Sequence, residues 1–226
     1  MRRLSFSLLC IFLAVSCANE ISEQVCGTYN LVSQTRGPVL GYSPESGVKI
    51  LSVDGYAFKD LNKNGQLDVY EDWRKPVYDR AADLASKLTV EQICGLMLYS
   101  SAVTVNSPEI TNKVENNLKR DFIRHMLVSA ISDARTAAMW SNAIQAYCES
   151  APHGIPANNS SDPRHYTNGK ANTSAYVPEP DGEFDPDGSS TISKWPREIG
   201  LGASFDAELV RQFGEIASAE YRAMGL

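Results

Sequence analysis

Residues 122–160 decide the fold, and they read FIRHMLVSAISDARTAAMWSNAIQAYCESAPHGIPANNS. The apolar run over residues 122–129 predicts a buried strand, although a helix would also fit this run. A helix is predicted from Asp133 to about Glu149, because apolar residues recur there at three- and four-residue spacing. Gly154-Ile155-Pro156 then precedes a second short strand that runs toward Ser160. A strand, a helix and a strand in this order predict a βαβ unit with parallel strands.

Further helices are predicted on both sides of this unit. Residues 77–88 carry apolar residues at helical spacing, and another helix is expected around residues 108–120. Thr89-Val90-Glu91-Gln92 matches a capping box that would begin a short helix. Near the end of the sequence, Asp206 can cap a final helix that Gly225 would close.

The composition is that of an ordinary globular protein. The 226 residues carry a formal charge of −6, and 43% of them are apolar and 21% charged. These values fit neither a disordered nor a membrane-embedded chain. No cluster of Lys and Arg follows the first three residues. Since nucleic acid selects basic patches, this acidic balance argues against a nucleic-acid partner.

The N-terminal residues predict export. Two arginines precede an apolar stretch over residues 4–15, which is too short to span a bilayer as a helix. Residues 13–17, Leu-Ala-Val-Ser-Cys, resemble a bacterial lipobox, in which cleavage before a cysteine is followed by its lipidation. We expect a signal peptide over residues 1–16 and a lipid anchor on Cys17. The protein would then lie in the periplasm or at the outer membrane of a Gram-negative bacterium, whereas plain cleavage and secretion is the alternative.

A calcium-type loop is predicted at residues 60–71, DLNKNGQLDVYE. The spacing matches the twelve-residue EF-hand loop at every liganding position, with Gly65 where that loop turns sharply. Because the segment before the loop looks extended, we expect a lone structural Ca²⁺ site. An Asx-rich turn that holds no ion is the alternative. Six residues would supply the oxygen ligands: Asp60, Asn62, Asn64, Gln66 through its carbonyl, Asp68 and Glu71.

Three cysteines stand clear of the predicted signal: Cys26, Cys94 and Cys148. Their spacing fits no metal site, so zinc is not expected. Cys94 and Cys148 stand among apolar helical residues and are predicted to be small core side chains. A disulfide between two of the three stays open.

Several blocks of sequence together resemble the N-terminal part of glycoside hydrolase family 3 proteins of the bacterial β-glucosidase and β-xylosidase type. The blocks occur in the order of the family and span nearly everything from residue 56 onward. They are residues 60–73, 84–92, 154–156 with 160–165, 193–198 with 201–206, and 220–225.

The resemblance implies a (β/α)₈ barrel and retaining hydrolysis of β-linked glucosides or related oligosaccharides. In such enzymes two carboxyl groups about 5–5.5 Å apart act as nucleophile and acid/base. Asp162 matches the family aspartate that binds hydroxyl groups of the substrate. A carboxylate can accept two hydroxyl hydrogen bonds at once, which suits a sugar diol. Arg164 and His165 would line the same pocket.

No segment resembles the family's nucleophile or acid/base, which come later in its barrel. The lead-in over residues 17–75 is predicted to be irregular apart from one hairpin, because residues 48–53 have strand character and Asp54-Gly55 marks a turn. Residues 76–226 would then supply the first two or three βα units of an incomplete TIM barrel, because a full barrel needs about 250 residues. We therefore expect the catalytic residues to lie beyond the C-terminus and this chain alone to be inactive. The alternatives are a non-catalytic calcium- and sugar-binding surface lipoprotein and an inactive truncated gene product.

Overall fold

Two small antiparallel sheets form the N-terminal region of the computed structural model, which describes residues 20–161, 165 and 192–226. The first sheet contains β1 (Ile21–Cys26), β2 (Tyr29–Gln34) and β3 (Leu40–Tyr42), and the second contains β4 (Lys49–Val53) and β5 (Tyr56–Asp60). The second sheet confirms the predicted hairpin, whereas the first sheet makes the lead-in more regular than predicted. Its first strand is mostly exposed, and an exposed strand leaves little hydrophobic alternation in the sequence.

Two helices follow the calcium-type loop, α1 (Val77–Lys87) and α2 (Val90–Leu96). The predicted capping box is confirmed: the Thr89 hydroxyl accepts from the backbone N–H of Gln92 at 3.2 Å, and the Gln92 side chain accepts from the N–H of Thr89 at 2.9 Å. No residue of α1 is buried. The helical spacing of its apolar residues therefore predicted the helix correctly, although these residues are not buried.

A three-stranded parallel sheet holds the main core. Its strands are β6 (Val103–Val105), β7 (His125–Ile131) and β8 (Asn158–Ser160), and they lie side by side in chain order. Residues 122–129 were predicted as a strand with a helix as the alternative, and the strand is confirmed. The βαβ prediction is confirmed as well, because β7 and β8 pair in parallel across an intervening helix.

The helix of that unit is α4 (Ala134–Ser150), which begins where predicted. The Asp133 carboxylate caps it by accepting from the backbone N–H of Thr136 at 2.8 Å. A second helix, α3 (Asn112–Lys119), connects β6 to β7 and begins at a Thr111 cap. The two helices and the sheet share one core of buried apolar side chains, which includes Val114, Leu118, Met126, Val128, Ile131, Ala137, Trp140, Ile144 and Cys148.

Two C-terminal helices complete the described structure, α5 (Glu198–Ala203) and α6 (Ala207–Met224). Asp206 caps α6 as predicted, accepting from two backbone N–H groups at 3.0 Å. Gly225 closes α6 in the left-handed conformation, with φ of 79°. Its carbonyl accepts a hydrogen bond from the Ser141 hydroxyl at 3.1 Å, which joins the end of α6 to the middle of α4. Helix α6 therefore packs on the helix of the βαβ unit.

The cysteines divide between surface and core. Cys148 is fully buried, as predicted, whereas Cys94 on α2 is exposed. The prediction of a core Cys94 was wrong, because the apolar neighbours of Cys94 on α2 are themselves largely exposed. Val90, for example, keeps 72% of its surface. Cys26, Cys94 and Cys148 are all free thiols.

The described residues form a mixed α/β structure with three separate sheets and no closed barrel among them. Within the same residues no helix has both the length and the apolar character needed to cross a membrane. Cys17, Asp162 and Arg164 lie outside the described residues. Their predicted roles therefore stay predictions.

Candidate functional site

The calcium-type loop, residues 60–71, folds its backbone around the carboxylate of Glu71. This carboxylate accepts hydrogen bonds from the backbone N–H groups of Leu61 at 2.7 Å, Asn62 at 3.2 Å and Asp68 at 3.0 Å. The first two donors lie at the start of the loop and the third near its end. Glu71 therefore closes the loop, and it does so while only 4% of its surface is exposed.

Asp60 holds the loop from its other end. It is the last residue of β5, and its carboxylate accepts from the backbone N–H groups of Asn64 at 3.0 Å and Gly65 at 2.9 Å. Gly65 has φ of 77°, so the sharp turn expected at this position is present and uses glycine's freedom. Asp60 is 2% exposed. Both predicted end ligands are thus buried carboxylates.

The two asparagines of the loop converge on Asp68. The side-chain amides of Asn62 and Asn64 each donate to one Asp68 carboxylate oxygen at 2.7 Å. The side-chain oxygens of the same asparagines accept from backbone N–H groups two residues further on. Although burial raises the pKa of Asp68, the hydrogen bonds from Asn62, Asn64 and Lys87 outweigh it and hold that pKa below its ordinary value.

Residues 60–71 carry three carboxylates and one lysine, so the loop is negatively charged on balance. Lys87 lies 3.4 Å from Asp68. No ion pair among the described residues reaches Asp60 or Glu71, and backbone N–H groups donate to both carboxylates. The carboxylates do not gather as a group of three metal-ligating side chains in the part of the chain that the structure describes. The residues that supply amide and carbonyl oxygens in an EF-hand loop nevertheless stand at the matching sequence positions.

His165 is the one predicted sugar-site residue that the structure describes, and it is buried. Its Nε2 atom lies 3.0 Å from Oε2 of Glu220 on α6, and only 2% of the residue is exposed. The imidazole also contacts the rings of Phe213 and Tyr221, with centroids 5.7 Å and 5.0 Å away. Burial lowers the pKa of His165, and the neighbouring Glu220 carboxylate opposes that effect.

Glu220 connects His165 to the segment before α5. Its carboxylate accepts from the backbone N–H of Ser193 at 2.9 Å and from the Ser193 hydroxyl at 3.0 Å. That hydroxyl in turn accepts from the indole N–H of Trp195 at 2.9 Å. The backbone N–H of Trp195 donates to the carbonyl of His165 at 2.6 Å. The Glu220 carboxylate therefore connects three of the sequence blocks quoted above, those at residues 160–165, 193–198 and 220–225.

Comparison with known proteins gives the chain a family context. A periplasmic β-glucosidase/β-xylosidase from Dickeya chrysanthemi is 35% identical over 187 residues, which are 80% of this chain and 27% of the relative. The chain is related to the β-glucosidases and β-xylosidases. The predicted resemblance is thereby confirmed, and it is consistent with the N-terminal part of a glycoside hydrolase family 3 protein.

Fungal β-glucosidases extend this relationship. β-Glucosidase C of Emericella nidulans is 29% identical over 170 residues, which are 74% of this chain and 26% of the relative. A probable β-glucosidase C of Aspergillus oryzae is 27% identical over 191 residues, or 80% of this chain and 28% of the relative. The chain thus spans about a quarter of the length of these β-glucosidases. No protein-family model matches it.

An open cleft of about 910 Å³ lies between α4 and the first N-terminal sheet of this chain. Tyr29, Tyr42 and Tyr147 are among its lining residues. None of the predicted site residues that the structure describes lines this cleft. It therefore supports neither the predicted sugar site nor the predicted cation site.

The sequence did not single out Glu220 as a partner of His165. A signal was present, because Glu220 follows Phe213 and Ala217 at helical spacing on the apolar side of α6. A carboxylate on an apolar face needs a partner. Which partner it takes depends on residues far away in the sequence, so the pattern alone could not name His165.

Proposed function

We propose that this chain is the N-terminal part of a retaining glycoside hydrolase that acts on β-linked glucosides or related oligosaccharides. The observation that carries the proposal is the 35% identity over 187 residues to a β-glucosidase/β-xylosidase. The parallel order of β6, β7 and β8, with α3 and α4 between them, supports an incomplete (β/α)₈ barrel, in which strands of this kind follow one another around the barrel.

In this proposal the sugar site follows β8. Barrel enzymes place their sites at the carboxyl ends of the strands, and β8 ends at Ser160, two residues before Asp162. The Asp162 carboxylate would accept hydrogen bonds from two neighbouring sugar hydroxyls, and Arg164 would line the same pocket. His165 would also belong to this pocket. His165 is the last residue of the block at residues 160–165, and its contact with Glu220 would hold that end of the block against α6.

We propose that the chemical step depends on two catalytic carboxyl groups, and no segment of this chain resembles the family segments that carry them. A retaining mechanism requires a carboxylate nucleophile that forms a glycosyl-enzyme bond and a carboxylic acid that protonates the leaving oxygen. None of the quoted blocks matches either group. We expect no hydrolysis of an aryl β-glucoside by the purified 226-residue chain. Turnover that Asp162→Ala abolishes and Asp79→Ala on α1 preserves would contradict this expectation.

Two measurements test the proposal as a whole. An immunoblot of the source cells against residues 20–150 should show a product several times larger than 24.8 kDa, because the chain spans 27% of its relative. A band near 24.8 kDa would favour the non-catalytic calcium- and sugar-binding protein instead. Titration with a β-linked disaccharide then separates sugar binding, which Asp162→Ala should remove, from an inactive gene product, which should bind none.

We also propose that residues 60–71 bind Ca²⁺. The supporting observation is the pair of buried carboxylates, Asp60 and Glu71, which accept hydrogen bonds from backbone N–H groups of the loop. With Asn62, Asn64, Asp68 and the Gln66 carbonyl they make a hard oxygen donor set of the kind Ca²⁺ takes. The ion would supply no chemistry for hydrolysis. It would cross-link the end of β5 to the segment before α1.

Calorimetric titration of the chain with calcium tests this second proposal. We expect saturable binding with a dissociation constant in the range of about 10⁻⁴–10⁻³ M, which is typical of extracellular modules. Glu71→Gln should weaken binding strongly because it removes the bidentate ligand, whereas Glu91→Gln on the exposed surface of α2 should not. Absence of heat at millimolar calcium would rule out the site.

Export and lipid anchoring are proposed from the N-terminal residues, and the printed name of the Dickeya chrysanthemi relative, a periplasmic enzyme, supports export. Metabolic labelling of the producing cells with a radioactive fatty acid should mark the protein, and Cys17→Ser should remove the label. An unlabelled but exported protein would instead indicate plain cleavage.

A further inference from the structure

The calcium-type loop contacts a second part of the chain, the C-terminal end of α4. The Lys63 ammonium donates to the carbonyl oxygens of Glu149 at 2.9 Å and Ser150 at 3.2 Å. The last four carbonyls of a helix lack partners within the helix. In α4 the other two, those of Tyr147 and Cys148, accept from the backbone N–H of Ala151. Lys63 therefore completes the C-terminal cap of α4.

The cap places a positive charge where the helix dipole is negative. Cations near a helix C-terminus are stabilising for this reason, and direct donation to the carbonyls adds to the effect. Lys63 adopts a left-handed backbone conformation, with φ of 63°. A non-glycine residue rarely adopts this conformation without support from its surroundings. The shape of the loop and the position of the Lys63 side chain therefore depend on one another.

The same loop packs against the turn that follows α4, a 3₁₀ turn at Pro152–Gly154. Gly154 has φ of 56°, and a Cβ atom placed on it would lie 2.9 Å from Cδ2 of Leu61. Glycine is required here both by the backbone conformation and by the close approach of Leu61. Tyr70, near the end of the loop, makes an edge-on contact with His153, with ring centroids 6.5 Å apart. Both ends of the loop thus contact this turn.

An ion pair just before the loop adds a further connection. Lys59 on β5 pairs with the Glu149 carboxylate, which is 8% exposed, and that carboxylate also accepts from the backbone N–H of Ser43 at 2.9 Å. Contacts from residues 59–70 therefore converge on residues 149–154. That short segment leads directly into β8, which begins at Asn158.

We propose that residues 60–71 act as a clamp on the connection between α4 and β8, so that order in the loop is transmitted to residues 149–158. The clamp consists of the Lys63 cap, the Leu61–Gly154 contact and the Tyr70–His153 contact. Only its response to a cation rests on the calcium binding proposed above. The contacts themselves exist without reference to any ion.

Hydrogen–deuterium exchange of the whole chain tests the clamp. The variant is Lys63→Met, which keeps an unbranched side chain one atom shorter than lysine but removes its donors. The matched control is Lys113→Met on the exposed side of α3. We expect exchange over residues 149–158 to rise roughly tenfold in Lys63→Met without calcium, the factor expected for loss of hydrogen bonds from a charged donor. Lys113→Met and the conservative Lys63→Arg should match the unmodified protein.

Adding calcium provides the second part of the exchange experiment. In the unmodified protein, millimolar calcium should slow exchange within residues 61–71 and also within residues 149–158. In Lys63→Met it should slow the first segment as before and the second much less, because only the Leu61–Gly154 and Tyr70–His153 contacts remain. Unchanged exchange of both segments on adding calcium would overturn the calcium proposal and leave the calcium-free comparison to decide the clamp. Equal exchange of residues 149–158 in Lys63→Met and Lys113→Met would overturn the clamp itself.

Discussion

The Nε2 atom of His165 lies 3.0 Å from the Oε2 atom of Glu220, at a site where His165 is 2% exposed. Two effects on the imidazole oppose each other there. Burial disfavours the charged imidazolium, while the carboxylate favours it. Burial has the larger effect, so the pKa of His165 is lowered. The pair therefore makes the stability of this region depend on pH.

The first prediction concerns that dependence. The ordinary pKa of histidine is about 6.5, and the folded protein binds the proton less readily than the unfolded chain does. The contribution of His165 to stability is therefore fully present above pH 6.5 and is lost as the pH falls below it. Urea unfolding between pH 7.5 and 5 should show this loss, and His165→Gln should reduce the slope. A slope unchanged by His165→Gln would contradict the assignment.

Glu220→Gln provides the complementary variant. It removes the charge that raises the pKa of His165, so the pKa falls further and the loss of stability should extend to lower pH than in the unmodified protein. The same pH series of urea unfolding curves measures this extension. A shift in the opposite direction would show that Glu220 does not stabilise the imidazolium.

The second prediction concerns the core of the βαβ unit. Ile144 on α4 is fully buried within the shared core, whereas Met139 on the same helix keeps 45% of its surface. Ile144→Ala should lower the free energy of unfolding by about 2–5 kcal/mol, because it removes buried methyl groups and leaves a cavity. Met139→Ala should cost less than about 1 kcal/mol. Denaturant titration measures both, and equal costs would contradict the core as described.

The third prediction uses two glycines with opposite surroundings. Gly154 has φ of 56° and Leu61 within 3 Å of the position of a Cβ atom, whereas Gly214 lies inside α6 with nothing within 4 Å of that position. Gly154→Ala should destabilise the protein by more than about 1 kcal/mol. Gly214→Ala should stabilise it by roughly 0.5–1 kcal/mol, since alanine has a higher helix propensity than glycine. Thermal unfolding should therefore shift the two variants in opposite directions.

The fourth prediction concerns the beginning of α4. Asp133 caps the helix through the backbone N–H of Thr136 at 2.8 Å and also accepts from the Thr136 hydroxyl at 2.6 Å. Asp133→Ala should cost about 1 kcal/mol of stability, and Asp133→Asn, which can still cap, should cost much less. Equal losses in the two variants, measured by urea unfolding, would show that the charge rather than the cap matters.

Local features of this protein were predictable because they depend on neighbours in the sequence. The strand and helix of the βαβ unit, the Thr89 capping box and the Asp206 cap were all predicted and are present. Each arises from a repeat of two to four residues or from a hydrogen bond that spans three residues. The lead-in strands were underestimated because strand β1 is held by pairing with β2 rather than by burial.

The sequence by itself determined every helix except α5, the parallel unit, the spacing of the calcium-type loop and the resemblance to family 3. Only the tertiary structure decided that Glu220 faces His165, that Lys63 caps α4 and that Cys94 is exposed. The physical reason is the range of the interactions. A cap or an amphipathic face is set by residues a few positions apart. The two contacts join segments that are far apart in the sequence, and the exposure of Cys94 depends on what packs against α2, so local periodicity cannot predict any of the three.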